Sequence, residues 1–540
     1  MADGNKYDKL QKMATDPKEL IDMLSEISFL PPEEYRLKLK GGGGSRRVPL
    51  GITTTATHPE YADITEEKLQ SHVDDLVAIS KRSRDDGEIL WGRIQGTRYE
   101  RDTLDAIEAK LQSYGKFKVQ RDVFPARYPQ WRPVQTSLEV HKSVHHEGTD
   151  PYVFKNAITA FPSAQTAASG NKGEFIYVGN GTPAELNGRD LTDKLVLLRS
   201  TGMGGPLIHT ARTAFSRIAT GQWGVPGAVI VWWDVAGARQ IAGRVGATGG
   251  GDEIGLALPW ITIGNEDGFY LRKLIDRATP ENPVIGRVTV RGDMEPGSER
   301  ISGNTWGYLP GKSDSFILLC AHVDGYFYAV HDNGAAVASL LSLAEHFAKS
   351  GKELEHGLLF LFVGDHENPG VGGTINFVEE HEDWLKNDLL TVIRPEKLGL
   401  MLREGGAPTN VETPMTPLVT NLSPVLIELL RKSAEKFGLA ITQLVWNDPA
   451  ADEVAFHPPY ADLDAISIGW HSIGRTYHST ADVESGLIGY PQLQSWAQSF
   501  AYLVDELQAY RKEDLQEGAS ASPEQSTYQS DSMKMTFGNF

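Results

Sequence analysis

Two uninterrupted apolar runs, each followed by a helix-like pattern, constrain the fold of this chain more than any other feature. The runs are FILLCA at 316–321 and LLFLFV at 358–363. Strands that are apolar on both faces are typical of a parallel sheet that is covered by helices on both sides. We therefore predict an α/β fold with a mixed, mostly parallel sheet flanked by helices.

The pattern of residues changes near 130 and again near 300. Between these points, short β-like runs such as EFIYVG, KLVLLRS and GAVIVWW alternate with glycine, proline and asparagine, which predicts a small β-rich domain. Helix patterns precede it and the α/β pattern follows it, so we predict an insertion into a larger domain. The predicted division is a discontinuous α/β domain (63–130 and 301–511), the insertion (131–300), an N-terminal arm (1–62) and a flexible C-terminal tail (512–540).

Charge and cysteine content exclude several classes of partner. The formal charge of -19, from 52 basic and 71 acidic residues, would repel nucleic acid and acidic membrane surfaces. No apolar run is long enough to span a membrane, and the N-terminus lacks a secretory pattern. The single cysteine, Cys320, excludes an intrachain disulfide. We expect a soluble cytoplasmic protein with a small-molecule or peptide substrate, and a homo-oligomer is left open.

Ionisable residues follow the predicted strands, where ligands bind in parallel sheets. They are His322 and Asp324 after the first run; His331 and Asp332 before the next helix; Asp365, His366 and Glu367 after the second run; Glu404 after LGLMLR, whose last residue is Arg403; and His471, Arg475, Tyr477 and His478 after AISIGW. Imidazole and carboxylate without thiolate are typical ligands of zinc, manganese or cobalt. The sequence therefore predicts a metal site suited to hydrolytic chemistry.

The motifs AHVDG, HDNGAAVA, RTYHSTAD and PAADEVAF resemble those of the M28 metallopeptidases, which include zinc aminopeptidases and the glutamate carboxypeptidase II group. The resemblance extends over about 64–510. It implies a zinc-peptidase-like α/β fold with two divalent ions, zinc first and manganese or cobalt as alternatives. Some family members carry an inserted protease-associated (PA) domain, which the β-rich insertion resembles.

The resemblance also implies individual roles. His322 would bind one metal ion, and Asp324 would orient its imidazole. Asp332 would be the carboxylate that bridges the two ions. His478 would bind the second ion, and Tyr477 would stabilise the oxyanion.

The stretch GDHENPGVGGT departs from the Gly-Ala-Glu-Glu pattern of the family. Alignment on the preceding strand places His366 at the general-base position and Glu367 at a metal-ligand position. Alignment on the glycines instead makes Glu367 the base and Asn368 the ligand. We prefer the first, because the pleat fixes side-chain direction at a strand end. Asp365 is an alternative base, and Glu404 is the best candidate for the ligand that relatives place after the next strand.

Three functions remain open, and the first is favoured. It is a binuclear metal-dependent hydrolase of the M28 type, an aminopeptidase or carboxypeptidase that cleaves a peptide or small amide bond with metal-activated water. The second is a lyase or hydratase on the same scaffold, acting on a small carboxylate-bearing metabolite, in which His366 moves a proton. The third is a binding protein without catalysis, which fits poorly with the retention of clustered ionisable residues.

Four further residues are candidates for substrate binding. Arg403 and Arg475 would hold a substrate carboxylate in a bidentate manner, although strand-end arginines that face solvent would give the same pattern. His331 directly precedes Asp332, and His471 directly follows the apolar run AISIGW.

Overall fold

The computed structural model describes residues 58–144, 150–200, 206–243, 245, 252–367, 370–404, 407–442, 445, 449, 451–458, 460, 461, 463, 465–471, 476–483 and 488–519. Of residues 206–210, 252–254, 402–404, 407–411 and 471, only the backbone is described. Most of the predicted N-terminal arm and the end of the predicted tail therefore lie outside the described residues.

Eleven α-helices are found in the described part of the chain: α1 (Glu66–Asp85), α2 (Arg98–Ser113), α3 (Pro183–Leu186), α4 (Pro206–Ala219), α5 (Asn265–Asp276), α6 (Ala335–Lys349), α7 (Gly372–Glu380), α8 (Glu382–Asp388), α9 (Pro424–Phe437), α10 (Tyr490–Leu507) and α11 (Lys512–Gln516). Capping residues explain where helix α9 begins and ends. Helix α9 begins after Ser423, whose hydroxyl accepts from the Leu426 N–H, and it ends at Gly438 with a φ of 65°.

The strands are β1 (Gly92–Arg93), β2 (Lys118–Pro125), β3 (Gln130–Lys142), β4 (Tyr152–Val153), β5 (Asn171–Tyr177), β6 (Leu195–Ser200), β7 (Ala228–Trp233), β8 (Trp260–Ile263), β9 (Ile285–Glu295), β10 (Ile301–Leu309), β11 (Phe316–His322), β12 (Gly325–Tyr326), β13 (Gly357–Val363), β14 (Leu389–Arg394), β15 (Met401–Glu404), β16 (Ala407–Glu412), β17 (Thr416–Val419) and β18 (Ser467–His471). A short irregular helix, Val330–Gly334, directly precedes α6.

Seven strands form one sheet in the order β17-β18-β14-β11-β13-β10-β2. Its four central strands, β18, β14, β11 and β13, are parallel, whereas the outer pairings are antiparallel. The predicted mixed α/β class is thus confirmed, with the parallel part confined to the centre. In register, His322 of β11 lies opposite Val363 of β13, so these two strands end together.

Alternate side chains of the central strands enter different cores. In β11, Ile317 and Leu319 pack in the core that includes helices α1, α6 and α10, whereas Leu318 and Cys320 pack in the core that includes α7 and α8. Both faces of the strand are therefore buried, which is why its sequence is apolar throughout. No helix of the described part is long and apolar enough to cross a membrane.

A second seven-stranded sheet, in the order β4-β3-β9-β5-β6-β7-β8, takes all its strands from 130–295. The strands predicted from EFIYVG, KLVLLRS and GAVIVWW correspond to β5, β6 and β7. The assignment of this β-rich part as a PA domain stays a prediction, and so do its boundaries.

Two predicted segments need correction. Residues 512–516 form helix α11, with Leu515 fully buried in the core, so the tail is not flexible from its first residue. Tyr61, placed in the N-terminal arm by the sequence, is 3% exposed and packs in the same core. In both cases a single buried apolar side chain ties the segment to the fold, and neighbouring polar residues mask that signal.

Candidate metal centre

Four predicted ligands meet at the carboxyl edge of the central strands. His322 is the last residue of β11, and Asp332 lies in the short helix before α6. Glu367 follows β13, and His478 lies in a turn after β18. All four are at most 3% exposed. The strand-end rule therefore brought together residues that are up to 156 positions apart in sequence.

The donor atoms of these residues lie within a few ångström of one another. His322 Nε2 is 3.4 Å from Asp332 Oδ1, and His478 Nε2 is 3.5 Å from Asp332 Oδ2. His478 Nε2 is also 2.7 Å from Glu367 Oε2. His322, Asp332 and Glu367 each offer one ligand atom, and these atoms lie within 4.8 Å of one another. The spacing suits donors that surround a common centre.

The donor set fits a divalent ion. His322 Nε2 and both carboxylate oxygens of Asp332 are buried and make no hydrogen bond among the described residues, a costly arrangement unless another group binds there. Burial raises the pKa of Glu367 to about 8, and the Asp332 carboxylate acts in the same direction. Two imidazoles and two carboxylates are ligands that zinc accepts.

Asp324 has a different contact from the predicted one. His322 Nδ1 donates to the carbonyl oxygen of Asp324 at 3.1 Å, and the Asp324 carboxylate is 3.6 Å away. That carboxylate instead accepts from the main-chain N–H groups of His366 and Glu367, at 3.1 and 2.9 Å. Asp324 thus orients His322 through its main chain and holds the Glu367 loop through its side chain.

Two buried residues that sequence reasoning missed hold the segment between His322 and Asp332. The Arg93 guanidinium donates to the carbonyl oxygens of Val323, Tyr328 and Ala329 and to a serine hydroxyl. Asp482 accepts from the main-chain N–H groups of His331 and Asp332, at 2.7 and 3.1 Å. Nothing in the local sequence distinguishes these two residues, because their partners come from distant segments.

His366 lies beside the candidate ligands. Its ring stacks on that of His322, with centroids 3.8 Å apart and planes 5° apart. Its Nδ1 lies 2.9 Å from Asp452 Oδ1, and the same oxygen accepts from the Thr374 hydroxyl. Burial lowers the pKa of His366, but the Asp452 and Asp324 carboxylates together raise it above its usual value. Asp452 was noted in the sequence only as part of PAADEVAF.

Asp365 forms hydrogen bonds with two other segments of the chain. Its carboxylate accepts from the Arg127 N–H at 2.8 Å, and its own N–H donates to Glu100 at 2.8 Å. Burial raises the pKa of Asp365 to about 7, and the charges that act on it include Asp324, Arg300 and Arg127. This contact with Arg127 favours a structural role over the predicted role of alternative base.

The strand-end argument for Glu404 is wrong. Strand β15, which ends at Glu404, pairs with β16 in a separate two-stranded sheet, so it does not belong to the central sheet. The strand next to β11 is β14, and the carboxylate that follows it is Glu396. The run LGLMLR has the apolar composition of a buried strand. Strand β15, to which its last residues belong, nevertheless pairs with β16 in a hairpin. The ligand role of Glu404 stays a prediction, because its side chain is not described.

Glu396 and the next residue, Lys397, are the main residues missed from the sequence. The Lys397 ammonium donates to Glu396 and lies 3.7 Å from Asp332 Oδ1. Burial raises the pKa of Asp332, but Lys397 and His322 outweigh it and hold the pKa well below its usual range. Arg394, on the other side, donates to Glu396.

The remaining predicted residues are placed as follows. The ring of Tyr477 stacks on His478, with centroids 3.5 Å apart, and the Lys397 ammonium lies 4.6 Å from the Tyr477 centroid. His331 is fully buried, and burial lowers its pKa to about 4. The side chains of Arg403 and His471 are not described, and Arg475 and Asn368 lie outside the described residues.

The β-rich segment contacts the turn that carries one candidate ligand, His478. The Ala242 N–H donates to the carbonyl oxygen of His478 at 2.8 Å, and the Thr480 hydroxyl accepts from the main-chain N–H groups of Arg239 and Gln240 at 2.9 and 3.1 Å. The segment 239–242 thereby fixes the turn that carries His478.

Comparisons with known proteins agree with this architecture. The zinc aminopeptidase BSAP from Bacillus subtilis is 18% identical, with a TM-score of 0.56 over 85% of this chain and 99% of that chain. A peptidase M28 precursor from Shewanella amazonensis SB2B is 17% identical, with a TM-score of 0.55 over 84% and 98%. At these identities the likeness shows a shared fold. The comparison with curated proteins finds no match. Residues 304–504, which include all four candidate ligands, match the model of Peptidase family M28.

Proposed function

We propose that this protein is a metal-dependent peptide hydrolase. The observation that carries the proposal is the buried cluster of His322, Asp332, Glu367 and His478 within the segment that matches the M28 family. Neither the described residues nor the comparisons favour the lyase or hydratase alternative.

Zinc is the proposed resident ion, with manganese or cobalt as substitutes. His322, Asp332, Glu367 and His478 would hold it, since their donor atoms face one another in a buried site. When bound, such an ion acidifies water and polarises the carbonyl group of a substrate. Asp332 would contribute both carboxylate oxygens, one of which faces His322 and the other His478. The expectation of two ions stays a prediction.

His366 is the proposed proton acceptor. In a neutral imidazole one nitrogen carries the proton, and the Asp452 carboxylate at 2.9 Å favours that proton on Nδ1. Nε2 is then the basic nitrogen. The stacking on His322 holds the ring next to the proposed zinc ligands, where a base must lie to receive a proton from water.

Tyr477 is proposed to stabilise the oxyanion, as the resemblance implies. Its ring is half-buried and stacked against His478, which keeps it at the rim of the proposed site. Substrate binding by Arg403, Arg475, His331 and His471 stays a prediction.

The proposal is tested with the full chain loaded with zinc. Peptides with a free N-terminus and a blocked C-terminus are compared with peptides blocked at the N-terminus and free at the C-terminus, which separates aminopeptidase from carboxypeptidase activity. We expect hydrolysis of one class. His366→Ala should lower kcat by about 10²- to 10⁴-fold with bound zinc unchanged. His141→Ala, far from the ligands in sequence and paired with Glu139, is the matched control. Hydrolysis of neither class by the zinc-loaded wild type would contradict the proposal.

We also propose a cytoplasmic location, and a homo-oligomeric state stays a prediction. The one thiol, Cys320, is free and buried, which suits a reduced compartment. Cell fractionation and light scattering of the purified chain test the two statements, and a secreted form or a monomer would contradict them.

A further inference from the structure

A row of alternating charges leads from the sheet edge to the candidate metal centre. Glu453 Oε2 lies 3.4 Å from the Arg394 guanidinium, which also donates to Glu396. Glu396 accepts from the Lys397 ammonium on its other oxygen, and that ammonium is 3.7 Å from Asp332 Oδ1. All five residues are at most 7% exposed. The row ends on the carboxylate expected to bridge two metal ions.

Lys397 is held in this position from several directions. Its main-chain N–H donates to Asn333 Oδ1 at 3.1 Å, next to Asp332 in sequence. Its ammonium lies 4.6 Å from the centroid of the Tyr477 ring, a favourable contact for a cation. Its φ of 57° is in the left-handed region that few non-glycine residues adopt. The Lys397 ammonium is therefore held at the site by its surroundings and is not a mobile surface charge.

From this arrangement we propose that Lys397 replaces the second metal ion, so that the centre binds one divalent ion per chain. The inference deepens the proposed function and rests on it for the presence of a divalent ion. It concerns the count of ions, which the sequence predicted as two.

The argument concerns the ligands that a second ion would need. Asp332 Oδ1, which faces His322, is also the oxygen nearest to the Lys397 ammonium. Glu396, which follows β14 beside β11, is a carboxylate at the same sheet edge that could serve as a further ligand. Both of its oxygens already accept from cations, Arg394 on one and Lys397 on the other.

The test measures bound zinc and not activity. The full chain is dialysed against buffered zinc, and metal per chain is determined by mass spectrometry over a range of free zinc. We expect one ion in the wild type and two in Lys397→Met. Loss of a unit charge a few ångström away should strengthen the second site by on the order of 100-fold or more. Lys349→Met removes an exposed lysine paired with Glu345, and as the matched control it should bind one ion.

Each outcome decides the inference. Two ions of similar affinity in the wild type would overturn it, and so would a single ion in a folded Lys397→Met variant. If that variant fails to fold, the wild-type count decides alone. Peptide hydrolysis in the same samples separates the two proposals. Two ions with hydrolysis refute only the inference, one ion without hydrolysis refutes only the proposed function, and no bound zinc refutes both.

Discussion

Replacing Arg93 by methionine tests how the fold holds the candidate metal centre. The Arg93 side chain is fully buried and donates to Val323, Tyr328 and Ala329, all within the segment between His322 and Asp332. Methionine keeps much of the aliphatic length but removes every donor. The carbonyl groups then lose this partner without gaining access to water.

The cost follows from the two fully buried hydrogen bonds to main-chain carbonyl oxygens, those of Val323 and Ala329, at 2.8 and 3.0 Å. A buried acceptor left without its donor costs about 1–3 kcal/mol, so the free energy of unfolding should fall by about 2–6 kcal/mol. Because the same segment positions His322 and Asp332, zinc affinity should fall as well.

Urea unfolding followed by tryptophan fluorescence and circular dichroism measures the loss, with the slope checked for constancy. Arg82→Met is the matched control, since Arg82 is exposed and pairs with Asp102, and its loss should be within about 1 kcal/mol. A change of less than about 1 kcal/mol in Arg93→Met, with unaltered zinc affinity, would refute the reasoning.

Three further results are expected. Asp452→Asn removes the charge that raises the pKa of His366 against the effect of burial, so the acidic limb of the pH profile of kcat/KM should move to lower pH; an unmoved limb would argue against His366 as base. Gly373→Ala should destabilise the fold by about 1–3 kcal/mol in thermal unfolding, because the added Cβ would lie 2.0 Å from the carbonyl oxygen of Gly364, and a wild-type Tm would contradict this. Removing zinc with a chelator should lower the Tm and re-addition should restore it, by about 2.7 kcal/mol of stability at 100 times Kd, whereas an unchanged Tm would contradict a buried metal site.

The central sheet could be predicted because its signal is local. FILLCA and LLFLFV are apolar at every position, and β11 and β13 bury both faces. The strand-end rule then placed His322 and Glu367 at the same edge. It did not apply to Glu404, since the run LGLMLR is apolar enough for a central strand, but β15 pairs in a hairpin among the described residues.

The residues missed from the sequence act through long-range contacts. Arg93 and Asp482 bind main-chain groups of 323–332 from far along the chain, and no spacing in the sequence reveals such partners. Lys397 had a weak local signal, because Glu396 and Lys397 directly follow the apolar strand β14. A lysine among candidate metal ligands is unexpected from ligand chemistry alone, so only the three-dimensional arrangement shows its contact with Asp332.

The account is tested most directly by measuring bound zinc and peptide hydrolysis together while the metal is removed and returned. Wild type and His478→Ala are stripped with a chelator and titrated with zinc. We predict that hydrolysis in the wild type disappears with the metal and returns in proportion to the zinc bound. His478→Ala should recover neither the zinc nor the activity at the same free zinc concentration. Hydrolysis that persists in the metal-free wild type, or zinc binding that is unaffected by His478→Ala, would contradict a catalytic metal centre at these residues.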